Sequence, residues 1–67
     1  MLNTLKVERA ILNITQEELS RKIGVSRQTI NSIEKKRYVP STVLALRISA
    51  LFNKAVNEIF ILEKADY

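Results

Sequence analysis

Sixty-seven residues, 46% of them hydrophobic and with only one Gly and one Pro, can build a single helix-rich core but leave no room for a second domain. The chain has no cysteine and no histidine, which excludes disulfides, thiolate metal sites and imidazole chemistry and leaves apolar packing as the only staple. Its net charge of +4 is uneven: residues 1–40 carry eight Lys/Arg against four Asp/Glu, and residues 41–67 carry three of each, so one part of the molecule is suited to a polyanion.

Leu5 to Leu12 has Val7, Ala10 and Ile11, followed by Ile14, at three- and four-residue spacing, which marks the apolar face of a first helix. Thr15-Gln16-Glu17-Glu18 is a capping box, so a second helix starts at Gln16, with Leu19 and Ile23 as its inward stripe. Gly24 can take the left-handed conformation that turns the chain, and Ser26 can cap a third helix from Arg27 to Lys35. Ile30 and Ile33 give that helix an apolar side and leave a polar face of Arg27, Gln28, Asn31, Ser32 and Lys35. After the basic loop Lys36 to Pro40, Ser41 caps a fourth helix from Thr42 to about Phe52. Leu44, Ile48 and Leu51 line one face of it. Ala45, Leu46, Ala50 and Phe52 widen the apolar sector, which predicts burial on more than one side.

Asn53 can end the fourth helix in a left-handed cap, and Val56 to Ile59 has space for one or two further turns. The apolar run Ile59-Phe60-Ile61-Leu62 should be covered. It either closes the core of one chain or packs in part, as a short strand, against a second subunit. No stretch approaches the roughly 18 consecutive apolar residues of a membrane span, and the first residues lack the pattern of a signal peptide, which implies a cytoplasmic protein.

The order helix, glycine-centred turn, capped helix over residues 16–35 exposes the start of the second member of the pair, the arrangement that enters a DNA major groove. The chain also resembles the phage-repressor and Cro-like group of helix-turn-helix proteins, the XRE-type regulators. The resemblance is carried by Leu-Lys-Val-Glu-Arg-Ala from Leu5, Ile-Thr-Gln-Glu-Glu-Leu from Ile14, Ile-Gly-Val-Ser-Arg-Gln-Thr-Ile from Ile23, Ile-Glu-Lys from Ile33 and Tyr-Val-Pro-Ser from Tyr38. Its form is most similar to the minimal stand-alone subgroup that includes the repressor of the cytolysin operon. That resemblance implies an all-α, lambda-repressor-like bundle of five helices, dimeric, with short strands from the two termini able to pair. Phe60 to Glu63 and the residues near Leu2 are the candidates, and residues 56–64 form the expected dimer contact.

Carried over position by position, the resemblance places Gln16 at the start of the second helix, where side chain and amide meet a DNA phosphate, a role suited to the free N–H groups there. Ser26, Arg27 and Gln28 open the recognition helix. An Arg can donate a fork to guanine, and a Gln can pair with adenine. Asn31 lies one turn on, with Ser32 beside it. Thr29 can touch a thymine methyl or a phosphate, or be a partly buried helix threonine. Lys35, Lys36, Arg37 and Tyr38 follow as backbone clamps, which position a protein without specifying sequence. The family pairs an Arg at the position of Arg9 with a Glu at that of Glu34. The chain departs from the pattern at Glu8, where an apolar or aromatic residue is common, at Val43, usually polar, and at Ala55, often a capping Ser or Thr.

Ser20 and Ser26 have no obvious base, no glycine-rich phosphate loop exists, and the seven acidic residues are scattered, so an enzyme, a cofactor and a metal are not expected. The rival reading is a protein-interaction module or an antitoxin. Against it stand the hydrogen-bonding side chains Arg27, Gln28 and Asn31, where a docking surface would more often carry aromatic or apolar groups. The expected mechanism is repression by occupancy of a palindromic operator by a homodimer. Activation by contact with polymerase remains open.

Overall fold

Helices two, three and four begin on residues whose side chains cap them, and the first four helices end at left-handed residues. The computed structural model describes residues 1–67. A short strand β1 (Leu2–Asn3) leads into helices α1 (Leu5–Leu12), α2 (Gln16–Ile23), α3 (Arg27–Glu34), α4 (Thr42–Phe52) and α5 (Val56–Ile59), then strand β2 (Phe60–Ile61) and a 3-10 turn, Lys64–Asp66. At the start of α2 the capping box is complete: Thr15 Oγ1 accepts from the Glu18 amide at 3.0 Å, and the Thr15 amide donates to Glu18 Oε1 at 3.0 Å. The second of these bonds, with the Thr15 side chain adding to it, holds the Glu18 carboxyl below its usual range. The box is therefore intact at neutral pH and is lost only as the pH falls through that lowered value. Ser26 Oγ accepts from the Thr29 amide at 3.1 Å and Ser41 Oγ from the Leu44 amide at 3.2 Å, so both predicted serine caps are made. At α5 the Glu58 carboxylate accepts from the Ala55 amide at 3.1 Å, but alanine has no hydroxyl to return the bond.

Left-handed residues stop four of the helices: Asn13 (φ 55°), Gly24 (φ 83°), Lys36 (φ 61°) and Asn53 (φ 54°). Around Asn13, Lys36 and Asn53 the two amides at each helix end turn back onto carbonyls three and five residues earlier, satisfying acceptors that a helix end leaves bare. Gly24 and Asn53 are where such caps are predicted. Lys36 is not, and α3 stops at Glu34, one residue short of the expected end.

Leu5, Leu19, Ile23, Ile30, Ile33, Leu44, Ile48, Phe52, Ile59 and Phe60 form one buried cluster, with α3 seated on α2 through Ile30 and Ile33. The two strands pair antiparallel within the chain, Leu2 opposite Ile61 and Asn3 opposite Phe60. The C-terminal run thus divides: Ile59 and Phe60 close the core, while Ile61 and Leu62 stay exposed. Asn3 adds a tie that the sequence did not reveal. Its Nδ2 donates to the Ile33 carbonyl at 2.9 Å and fastens the N-terminal strand to the end of α3.

Two faces differ from expectation. Val7, Ala10 and Ile11 do not form the buried side of α1; Ile11 is 65% exposed, and Leu5 and Glu8 point inward instead. The inward face carries Leu5 together with two ion pairs. Glu8, 6% exposed, accepts from Lys54 Nζ at 2.8 Å, and Arg9 from the same helix reaches Glu34, so turning the apolar row inward would break both ion pairs. Helix α4 is buried on one side only, through Leu44, Ile48 and Phe52, with Leu51 half-buried; Leu46 and Val43 are 54% and 67% exposed. No helix is long and apolar enough to cross a membrane.

Candidate nucleic-acid interface

Ile30 and Ile33 are buried, so the helical period puts Gln28 on the far side of α3, while Arg27 lies on its flank in the first turn. Both are exposed, together with Ser26 at the head of the helix and Lys35, Lys36, Arg37 and Tyr38 beyond its end. Asn31 and Ser32, one turn on, are half-buried, as is Thr29. The Thr29 hydroxyl lies 3.0 Å from Ser26 Oγ, so these two residues form the start of α3 as well as its surface.

Gln16 belongs to α2 but lies beside α3. Gln16, Arg27, Gln28 and Asn31 surround an entirely polar hollow of about 240 Å³. A larger cleft of about 400 Å³ adjoins it, walled by Asn13, Thr15, Gln16 and Arg27 among others, with the beginning of α2 along one side. Asn13 and Thr15 were not singled out from the sequence as site residues. Their positions follow from the left-handed turn at Asn13, which folds the end of α1 against the start of α2. On the opposite flank, Gln28, Thr29, Ser32 and Tyr38 line a smaller hollow, which brings Tyr38 from the following loop onto the α3 surface.

An ionic network stiffens this surface from beneath. Arg9 donates through Nε to Glu34 Oε2 at 2.6 Å, through Nη2 to Glu34 Oε1 at 3.0 Å and through Nη1 to the Ile14 carbonyl at 3.1 Å. The ion pair expected between these residues is therefore present and doubly bonded. Its hydrogen bonds to Glu34 push the Arg9 guanidinium above its already high ordinary value, so it stays charged throughout the physiological range. Gln16 Nε2 joins the network, donating to Glu34 Oε1 at 3.1 Å and to Asn31 Oδ1 at 3.3 Å. Both side-chain N–H groups of Gln16 are thus engaged inside the protein, whereas the first backbone amides of α2 have no intrahelical acceptor.

Lys36 occupies a left-handed position that favours glycine, because a β-carbon crowds the following carbonyl. No group of three or more Asp, Glu, His or Cys is arranged to hold a metal ion.

Known proteins bear directly on this arrangement. A helix-turn-helix family profile matches residues 5–59. Over 63 residues the chain is 52% identical to an uncharacterized HTH-type transcriptional regulator of Methanocaldococcus jannaschii, covering 94% of this chain and 96% of that one. A regulator of the same description from Methanothermobacter thermautotrophicus is 46% identical over 65 residues, covering 96% and 94% of the two chains. The HTH-type transcriptional regulator YgzD of Bacillus subtilis is 44% identical over 64 residues, 96% and 97% of the two chains. This chain belongs to the XRE-type helix-turn-helix family, a class of DNA-binding transcriptional regulators.

Proposed function

We propose that the protein is a sequence-specific repressor that binds a palindromic double-stranded operator as a homodimer in the cytoplasm, with α3 as the reading helix and no catalytic step. The observation that carries this reading is the row of exposed Arg27 and Gln28 with half-buried Asn31 beside them, around one polar hollow shared with the start of α2. Arg27 and Gln28 read base edges in the major groove. The free amides at the start of α2 meet a phosphate, a role that falls to the Gln16 backbone because its side chain is engaged. Ser26, Thr29 and Ser32 shape the contact, and Lys35, Lys36, Arg37 and Tyr38 hold the DNA backbone.

Dimerisation is supported by a second surface. Val39, Pro40, Leu46, Val56, Phe60 and Leu62 line most of an apolar groove between the loop before α4 and the C-terminal segment. Leu46, Val39 and Leu62 are each more than half exposed in the single chain, an apolar area that a second copy would cover. Two reading helices would then sit about 34 Å apart on one face of the duplex. Leu46→Glu should shift the protein to monomers in sedimentation equilibrium while the fold is retained, and a dimer that survives the change would place the interface elsewhere.

Arg27→Ala and Gln28→Ala should each weaken binding to a preferred duplex by about 1–3 kcal/mol without altering thermal stability. Unchanged affinity in both variants would remove α3 as the reader.

Lys36→Gly should do two opposite things. Relief of the left-handed strain should stabilise the fold by up to about 1 kcal/mol, raising Tm by roughly 4–8 °C for a domain of this size. Loss of the charge should weaken binding almost equally on all duplexes and make the salt dependence shallower by about one unit of slope. A lower Tm, or a loss confined to one DNA sequence, would contradict the role.

A further inference from the structure

The direction of each hydrogen bond in the network beneath α3 is dictated by charge. Arg9 has donors only, and it grips both oxygens of Glu34, at 2.6 and 3.0 Å. The Glu34 carboxylate offers acceptors only. The end of the Gln16 amide that approaches it to 3.1 Å must therefore be the NH2 group, and the opposite orientation would set two oxygens against each other. That same NH2 lies 3.3 Å from the Asn31 side chain, which must present its carbonyl, Oδ1, to receive the second N–H. The ion pair between α1 and α3 thus sets the polarity of Asn31 through Gln16.

Oδ1 keeps one lone pair but is directed toward Gln16, so the end of Asn31 that is wholly unpartnered within the chain is its NH2. We infer that Asn31 reads DNA as a hydrogen-bond donor and selects guanine, which offers two acceptors, O6 and N7, to its two N–H groups. This rests on the proposal that α3 enters the major groove, and it names the base chemistry read there. An unconstrained asparagine prefers adenine, accepting from N6 and donating to N7. With Oδ1 turned toward Gln16, adenine and thymine each receive one good bond from Asn31, and cytosine, which presents only its N4 donor, receives none. Gln16, Glu34 and Arg9 are positioning residues for this selection.

The experiment is selection of bound sequences from random duplex DNA with the full chain and three variants. Comparing the wild type with Asn31→Ala identifies the base pair that depends on Asn31, and guanine is expected there. Gln16→Ala frees the Asn31 carbonyl, so adenine should gain on guanine at that pair by roughly tenfold, a shift that loss of a phosphate contact cannot produce. Asn31→Asp offers acceptors only and should favour cytosine or adenine. Thermal melts establish that each variant is folded, and if Asn31→Asp fails to fold, Gln16→Ala still decides. Adenine at the Asn31-dependent pair of the wild type would overturn the inference, as would a preference unmoved by Gln16→Ala. If no pair depends on Asn31 while those set by Arg27 and Gln28 persist, this inference fails alone. If the selection yields no preference at all, the DNA-reading role of α3 fails with it.

Discussion

Arg9→Met should destabilise the fold by about 3–5 kcal/mol, the largest loss expected from any single change in charge. The Glu34 side chain is only 7% exposed, and without Arg9 its carboxylate would keep one Gln16 N–H as partner and no compensating charge. A chain of this length has a total stability of about 3–10 kcal/mol, so the variant should lose a large share of it and unfold at clearly lower denaturant. The double variant Arg9→Met/Glu34→Met removes the orphaned charge together with its partner. It should recover much of the loss, because two methionines can fill the space with apolar contact. Denaturant unfolding of the wild type, both single variants and the double variant measures all of this. Equal and additive losses would mean that the pair contributes packing alone.

Ile30→Ala should cost about 2–5 kcal/mol, since Ile30 has no exposed surface and lies where α3 rests on the core. Ile30→Val, which removes one methylene, should cost about 0.5–1.5 kcal/mol. Gln28 lies on the opposite side of α3 and Arg27 on an exposed flank, so the folded fraction of either variant should keep the wild-type order of preference among duplexes. Its apparent affinity should fall only in proportion to the unfolded population. Thermal melts and DNA titrations on the same samples separate these effects. A change in sequence preference without a change in stability would mean that Ile30 does more than support the reading face.

Much of the fold could be read from the sequence because its punctuation is local. A capping box and two serine caps act within three residues, and Gly24 and Asn53 stop helices by their own backbone preferences, so these boundaries need no knowledge of distant neighbours. The rotation of α1 was not legible by the same means. Val7, Ala10 and Ile11 make a more apolar row than Leu5, Glu8 and Arg9, yet the latter face wins through partners 25 and 46 positions away in the chain. The outward apolar residues of α4 misled in a related way, since periodicity reports what is apolar and not whether one chain alone covers it. The left-handed Lys36 escaped notice because lysine is a poor signal for that conformation. Within the interface, the outward position of Gln28 followed from Ile30 and Ile33. The engagement of the Gln16 side chain with Asn31 and Glu34 required the tertiary structure.

The most direct test of α3 as the reader is to select duplexes from a random pool with the wild type and with the double variant Arg27→Ala/Gln28→Ala at one fixed salt concentration. The wild type should return two inverted half-sites centred about one helical turn apart, and the double variant should lose the preferences inside each half-site while retaining weak, salt-sensitive binding to any duplex. Identical motifs from both proteins, or no motif from the wild type, would show that the exposed face of α3 does not read DNA.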